Sequence, residues 1–260
     1  MTTMLIDAGV NLSNPQFNGH HDNVLSRARA AGITQMLLIG CDLTSSEHSV
    51  RLAKKYQLVT TVGVHPHDAK TADNTLESAL TTLANNPEVV AIGECGLDYN
   101  RDFSPRAIQR AVLHRQLALA EQLDLPVYLH ERDASTDMLS LLKQYKLRGV
   151  LHCFTGNETA LTNYLELGLY IGVTGWVCDE RRGELLRSLL PKIPLERLLI
   201  ETDAPFLLPR TINPKPKSRR NEPHYLRYIC QQIADLKQCE FTDVAKQTTL
   251  NFQQLFTLKA

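Results

Sequence analysis

Pro126-Val127-Tyr128-Leu129-His130 is a short apolar run closed by an imidazole, and Gly149-Val150-Leu151-His152 repeats the pattern. Between them Met138, Leu141, Leu142 and Tyr145 recur at helical spacing and form one apolar stripe. Strand, helix, strand is a βαβ unit. Its strands are apolar without alternation, so both their faces are covered, as in a parallel sheet. The pattern extends in both directions. Met4-Leu5-Ile6-Asp7, Gln35-Met36-Leu37-Leu38-Ile39-Gly40, Val59-Thr60-Thr61-Val62-Gly63-Val64 and Val89-Val90-Ala91-Ile92-Gly93-Glu94 precede the unit. Leu169-Tyr170-Ile171-Gly172-Val173-Thr174 and Arg197-Leu198-Leu199-Ile200-Glu201 follow it, making eight runs in 260 residues.

The intervening segments read as helices. Ile108, Val112, Leu119 and Leu123 form a second stripe, with Ser104-Pro105 predicted to cap and open that helix. Thr44 and Glu47 are expected to make a capping box at the start of the helix after the second strand. Gly32, Gly149 and Gly168 fall where helices should stop and strands begin. Eight strands alternating with helices predict an α/β fold, a (β/α)8 TIM-type barrel. Residues 1–260 are expected to form one domain, with residues 205–260 left for a long loop and two C-terminal helices. An open doubly wound sheet is the competitor, but neither GxGxxG nor GxxxxGKS/T is present.

Composition narrows the function. Hydrophobic residues at 43% and charged residues at 22% exclude a disordered chain. Lys+Arg 28 balance Asp+Glu 28, which argues against a protein that coats polyanions generally. No apolar run approaches the ~20 residues of a membrane helix. The start, Met1-Thr2-Thr3-Met4, lacks the cationic and apolar regions of a secretory leader. The six cysteines contain no CxxC pair, so reduced thiols and a cytoplasmic location are expected. Cys95 and Cys153 read as small core residues without a chemical role.

In a barrel of this type, catalytic groups stand at the C-terminal ends of strands. Asp7 closes the first run, His65 follows the third and Glu94 ends the fourth. His130 ends the fifth, His152 the sixth, and Asp203 follows the eighth. Each has an ordinary alternative: a hydrogen-bonded core histidine, or for Asp203 a cap on the turn at Ala204-Pro205. Their coincidence at equivalent strand ends decides otherwise. Buried charge without a partner is costly, so imidazoles and carboxylates converging on one mouth call for a divalent metal or a proton relay. His20, His21, His48, His114 and His224 fall on helices or their flanks and read as surface residues. A second feature follows the last strand. Arg210, Lys215, Lys217, Arg219 and Arg220 lie in a proline-rich stretch without an acid, read as an anion-binding loop on the active face. Arg132 and Asp133, with Arg181 and Arg182, would add to that rim.

Several strings resemble the TatD family of metal-dependent nucleases. They are Gly63-Val64-His65-Pro66-His67, Ile92-Gly93-Glu94-Cys95-Gly96-Leu97-Asp98 and Leu151-His152-Cys153-Phe154-Thr155-Gly156, together with Gly172-Val173-Thr174-Gly175-Trp176 and Glu201-Thr202-Asp203-Ala204-Pro205. The resemblance covers nearly the whole chain. It implies a 3′-to-5′ exonuclease acting on single-stranded DNA and RNA, commonly with magnesium, in repair of oxidative damage. It also implies that Glu94, His130 and His152 hold the metal, while Asp203 binds metal or takes a proton from the attacking water, with Asp7, Asn11 and His65 outside them. Most members carry D-x-H-x-H-L after the first strand, whereas this chain has Asp7-Ala8-Gly9-Val10-Asn11-Leu12. Gly9 and Asn11 in those places put a second, deeply held metal in doubt. Two imidazoles suit zinc or manganese better than magnesium, so magnesium comes from the resemblance alone. The chain is expected to act as a monomer. Two rivals stay open: a metal-dependent hydrolase of a small amide, lactone or ester, and a nucleic-acid-binding protein with a decayed site.

Overall fold

Eight parallel strands are hydrogen-bonded in chain order in the computed structural model, which describes residues 3–256. Met1 and Thr2, half of the start read as leader-free, lie outside the described residues. The strands are β1 (Leu5–Val10), β2 (Ile33–Leu38), β3 (Val59–Val62), β4 (Val89–Asp98), β5 (Val127–Arg132), β6 (Gly149–Leu151), β7 (Tyr170–Val173) and β8 (Leu198–Ile200). Helices α1 (His21–Ala30), α2 (Leu43–Tyr56), α3 (Leu76–Ala84), α4 (Arg106–Gln122), α5 (Ser135–Leu142), α6 (Glu158–Glu166) and α7 (Glu184–Leu189) alternate with them. Two more, α8 (Leu226–Lys237) and α9 (Phe241–Leu255), follow β8. Beyond β8 the chain returns to β1: Asp203 N donates to Gly9 O at 2.9 Å and Asn11 N to Ala204 O at 2.8 Å. These bonds close the sheet into the (β/α)8 barrel that the strand-helix alternation predicts.

Strand periodicity then sorts the apolar residues into two layers. Ile6, Ala8, Leu37, Ile39, Tyr128, Val150, Tyr170 and Leu199 pack together in the lumen. Their strand neighbours, such as Leu5, Met36, Val127, Leu129, Leu151, Ile171, Leu198 and Ile200, join the helices in the outer core. Phe252, Leu255 and Phe256 belong to the inner layer. Burying each phenyl there is worth about 2 kcal/mol. Asn251 Nδ2 donates to Leu195 O and Leu198 O, both at 2.8 Å, which seats α9 against the start of β8. Among the described residues α9 thus covers the N-terminal end of the barrel, and a cavity opens at the strands' C-terminal ends.

Local details depart from the sequence reading. α2 is capped by Asp42, whose side chain accepts from Ser45 N at 2.7 Å while Ser45 Oγ accepts from Asp42 N at 2.9 Å. The capping box thus starts two residues before Thr44, because only Asp42 takes the extended backbone of an N-cap. Pro105, not Ser104, occupies the N-cap of α4. Ser104 Oγ instead donates to His67 O at 2.8 Å and ties the loop after β3 to that helix. Gly149 opens β6 and stops no helix. β1, β4 and β5 run past the residues taken as their ends, so Asp7, Glu94 and His130 lie within strands.

Candidate active site

The lumen face carries its period into the mouth. Tyr128 leads to His130, Val150 to His152, and Leu199 to Glu201 and Asp203, each two residues on. An inward apolar residue is thus followed by an inward polar one as the strand leaves the core. Glu94 gets there differently. The β4–β5 ladder slips between Gly93 and Cys95, a bulge that re-aims the residue between them into the barrel. Gly93 has φ 141, and a Cβ there would sit 2.2 Å from Tyr128 O, so only glycine lets β4 press against β5 at the bulge.

Glu94, His130, His152 and Asp203 line a cavity of about 440 Å³ that also takes in Asn11, Cys41, His65 and His67, while Glu201 lies buried behind it. Glu94 Oε1 is the hub: His130 Nδ1 lies 3.0 Å away, His65 Nε2 3.4 Å and His152 Nε2 3.9 Å. His152 Nε2 is also 3.9 Å from Asp203 Oδ1, which accepts from Asn11 Nδ2 at 2.8 Å. His65, Glu94 and His130 offer ligand atoms within 4.8 Å of one another, as do His152, Cys153 and Asp203. His65 thus stands among the inner groups, closer in than its expected place outside them. Cys153 lines the cavity as well, where the sequence reading gave it no place. Burial and the neighbouring carboxylates keep the Cys41 and Cys153 thiols protonated, so neither presents a thiolate.

Electrostatics make the cluster cation-seeking. Burial pushes the Glu94 carboxyl up, but His65, His130 and His152 outweigh it and hold Glu94 well below the ordinary carboxylate range. Burial disfavours a charged His130, yet Asp98 and Glu94 raise its imidazole to about 9. His152 rises to about 10 against the same burial, under Glu201, Glu94 and Asp203. Desolvation, opposed by His152, pushes Asp203 up to about 7. The carboxylates thus gather protons onto two imidazoles, a demand that a divalent cation with carboxylate and imidazole ligands meets equally well. The donor set fits such an ion.

The groups behind this cluster were not singled out in the sequence. Glu201 Oε2 accepts from His152 Nδ1 and from the Tyr128 hydroxyl, both at 2.5 Å, and Cys153 N donates to Oε1 at 2.9 Å. With Nδ1 donating to Glu201, His152 presents Nε2 to Glu94 and Asp203, where a bound cation would take the place of the Nε2 proton. Asp98 Oδ2 lies 3.3 Å from His130 Nε2 and 2.7 Å from His67 Nε2. The sequence signal for Glu201 and Tyr128 was the period-two spacing from Asp203 and His130. Asp98 shows only once β4 is known to run that far.

One expected member, Asp7, stays outside the cavity. Asp7 accepts from Thr202 N at 2.8 Å and from Thr202 Oγ1 at 2.6 Å, on the strand face opposite Ile6 and Ala8. Burial pushes its carboxyl up to about 8, and its role is to fasten β1 to the end of β8. Gly9 explains the departure from the family's histidine pair. A Cβ there would lie 2.2 Å from the Tyr128 hydroxyl and 2.5 Å from Glu201 Oε2, so the space a histidine would enter is filled from across the barrel. Gly9→Ala is therefore expected to lose about 1–3 kcal/mol or more of stability. A urea melt checks this, and an unchanged midpoint would show that Tyr128 and Glu201 yield freely.

The basic loop is built differently from the expectation. Asn221 N donates to Pro205 O at 3.0 Å and its Nδ2 to Thr202 O at 2.9 Å, so residues 205–221 close on themselves at their base. Arg210 pairs with Asp179 at 2.9 Å. Arg220 donates to Gln16 O at 2.7 Å and to Glu222 at 2.8 Å. Lys215, Lys217 and Arg219 are exposed, with no ion-pair partner among the described residues. None of the five lines the cavity, whereas Arg132 does. Of the other rim residues, Arg182 pairs with Asp179 at 2.9 Å. Asp133 accepts from Asn100 Nδ2 at 2.8 Å.

Comparison with known proteins bears on this geometry. The family model described as "TatD related DNase" matches residues 6–257. The "3′-5′ ssDNA/RNA exonuclease TatD" of Klebsiella pneumoniae (strain 342) is 52% identical over 97% of this chain and 97% of its own. The protein of the same name from Citrobacter rodentium (strain ICC168) is 52% identical over 98% of this chain and 100% of its own. A solved structure of a TatD homologue from Escherichia coli K12 superposes with a TM-score of 0.90 at 28% identity, covering 99% of each chain. With that match across the barrel and its mouth, the chain belongs to the family of TatD-related DNases.

Proposed function

We propose that this chain is a divalent-metal-dependent 3′-to-5′ exonuclease that hydrolyses single-stranded DNA and RNA. One observation carries the reading: Glu94, His130, His152 and Asp203 meet at the open end of a barrel whose relative is an exonuclease by name at 52% identity. Glu94, His130, His152 and Asp203 would hold the cation, with His65 beside Glu94. When bound, such an ion supplies Lewis acidity toward a phosphoryl oxygen and lowers the pKa of water.

The remaining work falls to the chain. Glu201 and Tyr128 fix the tautomer and direction of His152, and Asp98 does the same for His130. Asn11 holds one oxygen of Asp203 and leaves the other to accept the proton of the attacking water. Magnesium is the metal of choice by resemblance to the family, though the two imidazoles would also serve manganese or zinc. No helix among the described residues is long and apolar enough to cross a membrane. A cytoplasmic, monomeric, one-domain enzyme that clears oxidatively damaged strands completes the reading.

Lys215, Lys217 and Arg219 separate a nuclease from a small-molecule hydrolase. A strand leaving the mouth across this loop releases counterions, so log affinity falls with log salt by about 0.7 for each phosphate neutralised. Replacing all three with glutamine is expected to flatten that slope by about two and to raise KM for oligonucleotides. Arg220 is left in place because it anchors the loop to Gln16 and Glu222. An unaltered slope with normal degradation of long strands would make the loop a solvated charge run and remove it from the reading.

A further inference from the structure

Aromatic exposure in this chain is concentrated at the mouth. Phe17, Phe154, Phe252 and Phe256 are buried, whereas Phe206 is 46% and Phe103 55% exposed. Phe103 packs edge-on against His67, 4.7 Å between ring centroids, and His67 lines the cavity. Phe206 lines the cavity itself, as do Leu207 and Trp176, the chain's one tryptophan. Leaving a phenyl ring half in water forfeits burial energy of about 1 kcal/mol, which a ligand that covers it recovers. A smaller hollow shares Trp176 and Leu207 with the main cavity and is bordered by Arg182 and Arg210. Arg182 stacks 4.7 Å from the Trp176 ring centroid. Both guanidiniums share the single carboxylate of Asp179, at 2.9 Å each, so the hollow keeps an excess positive charge.

An aromatic shelf thus lies between the metal-binding cluster and a cationic hollow. We propose that Trp176 and Phe206 form a stacking shelf for an unpaired nucleobase at the end of the strand being cut, with Arg182 and Arg210 receiving the phosphate that follows. The inference rests on the nuclease reading and names its binding subsite. Stacking uses the π-face that every base has, so the shelf accepts any sequence. It also requires that face to be free, which a base in a duplex does not offer. Single-strand preference without sequence preference follows from the shelf alone.

Trp176 provides a direct readout, because all tryptophan emission comes from it. The full-length protein with magnesium is titrated with a phosphorothioate-linked thymidine oligonucleotide, which resists hydrolysis, and with an abasic chain of the same linkage and length. The oligonucleotide is expected to quench the emission and to bind about tenfold or more tightly than the abasic chain, which leaves emission unchanged. Phe206→Ala should weaken the oligonucleotide about tenfold and leave the abasic chain unaffected. With cleavable strands the loss should appear in KM while kcat holds. Trp176→Phe, which keeps a ring in place, should retain most of the affinity. Equal binding of the two chains, with emission unmoved and Phe206→Ala neutral, would overturn the shelf and leave the nuclease reading standing. Failure to bind or cleave any strand would overturn both.

Discussion

His130→Ala is expected to lower single-strand hydrolysis by about 10³-fold or more, since a cation ligand underlies several kcal/mol of transition-state stabilisation. The fold should survive. His130 is partly exposed at the mouth, and its removal leaves Glu94 with His65 and Asp98 with His67. His152→Ala should be equally inactive but also less stable. It would strip a partner from the buried Glu201 carboxylate and the Tyr128 hydroxyl, a loss of about 1–3 kcal/mol. Turnover and thermal melts of the two variants check both halves. Near-normal turnover in either would remove its histidine from the site.

Glu201→Gln tests the layer behind the ligands. The amide keeps the shape but loses the charge that accepts from His152 Nδ1 and Tyr128 together. Groups of this kind typically cost about 10–100-fold in metal affinity or activity when replaced. The metal concentration for half-maximal activity is therefore expected to rise by that order, with part of the lost rate recovered at saturating metal. A merely structural Glu201 would lower the melting temperature and leave the metal dependence untouched. Tyr128→Phe, which removes one of two donors to the same oxygen, should show the same effect more weakly.

The barrel was legible because parallel strands buried on both faces leave unbroken apolar runs, and those runs mark all eight strands. Glu94, His130, His152 and Asp203 were legible because a polar residue at the end of such a run has few reasons to be there. Asp7 met the same test and failed it. Its strand continues three residues to Val10, and its side chain faces Thr202 on the far side of the strand. Glu201 was passed over because it sits between an apolar run and the more conspicuous Asp203, and only the two-residue period sets it inward. The bulge at Glu94 could not be read at all, since it depends on how β4 lies against β5. Arg210 and Arg220 counted as free charge in the sequence because Asp179 and Glu222, which engage them, lie outside the basic run or at its edge.

The most direct test is a single strand labelled at its 5′ end and incubated with the purified chain after dialysis against a chelator, then with magnesium, manganese or zinc restored in turn. No degradation in chelator, followed by a ladder shortening stepwise from the 3′ end once a divalent ion is returned, is the expected result. Degradation that persists undiminished in chelator would contradict a metal-dependent site at Glu94, His130, His152 and Asp203. No degradation with any metal would contradict the nuclease itself.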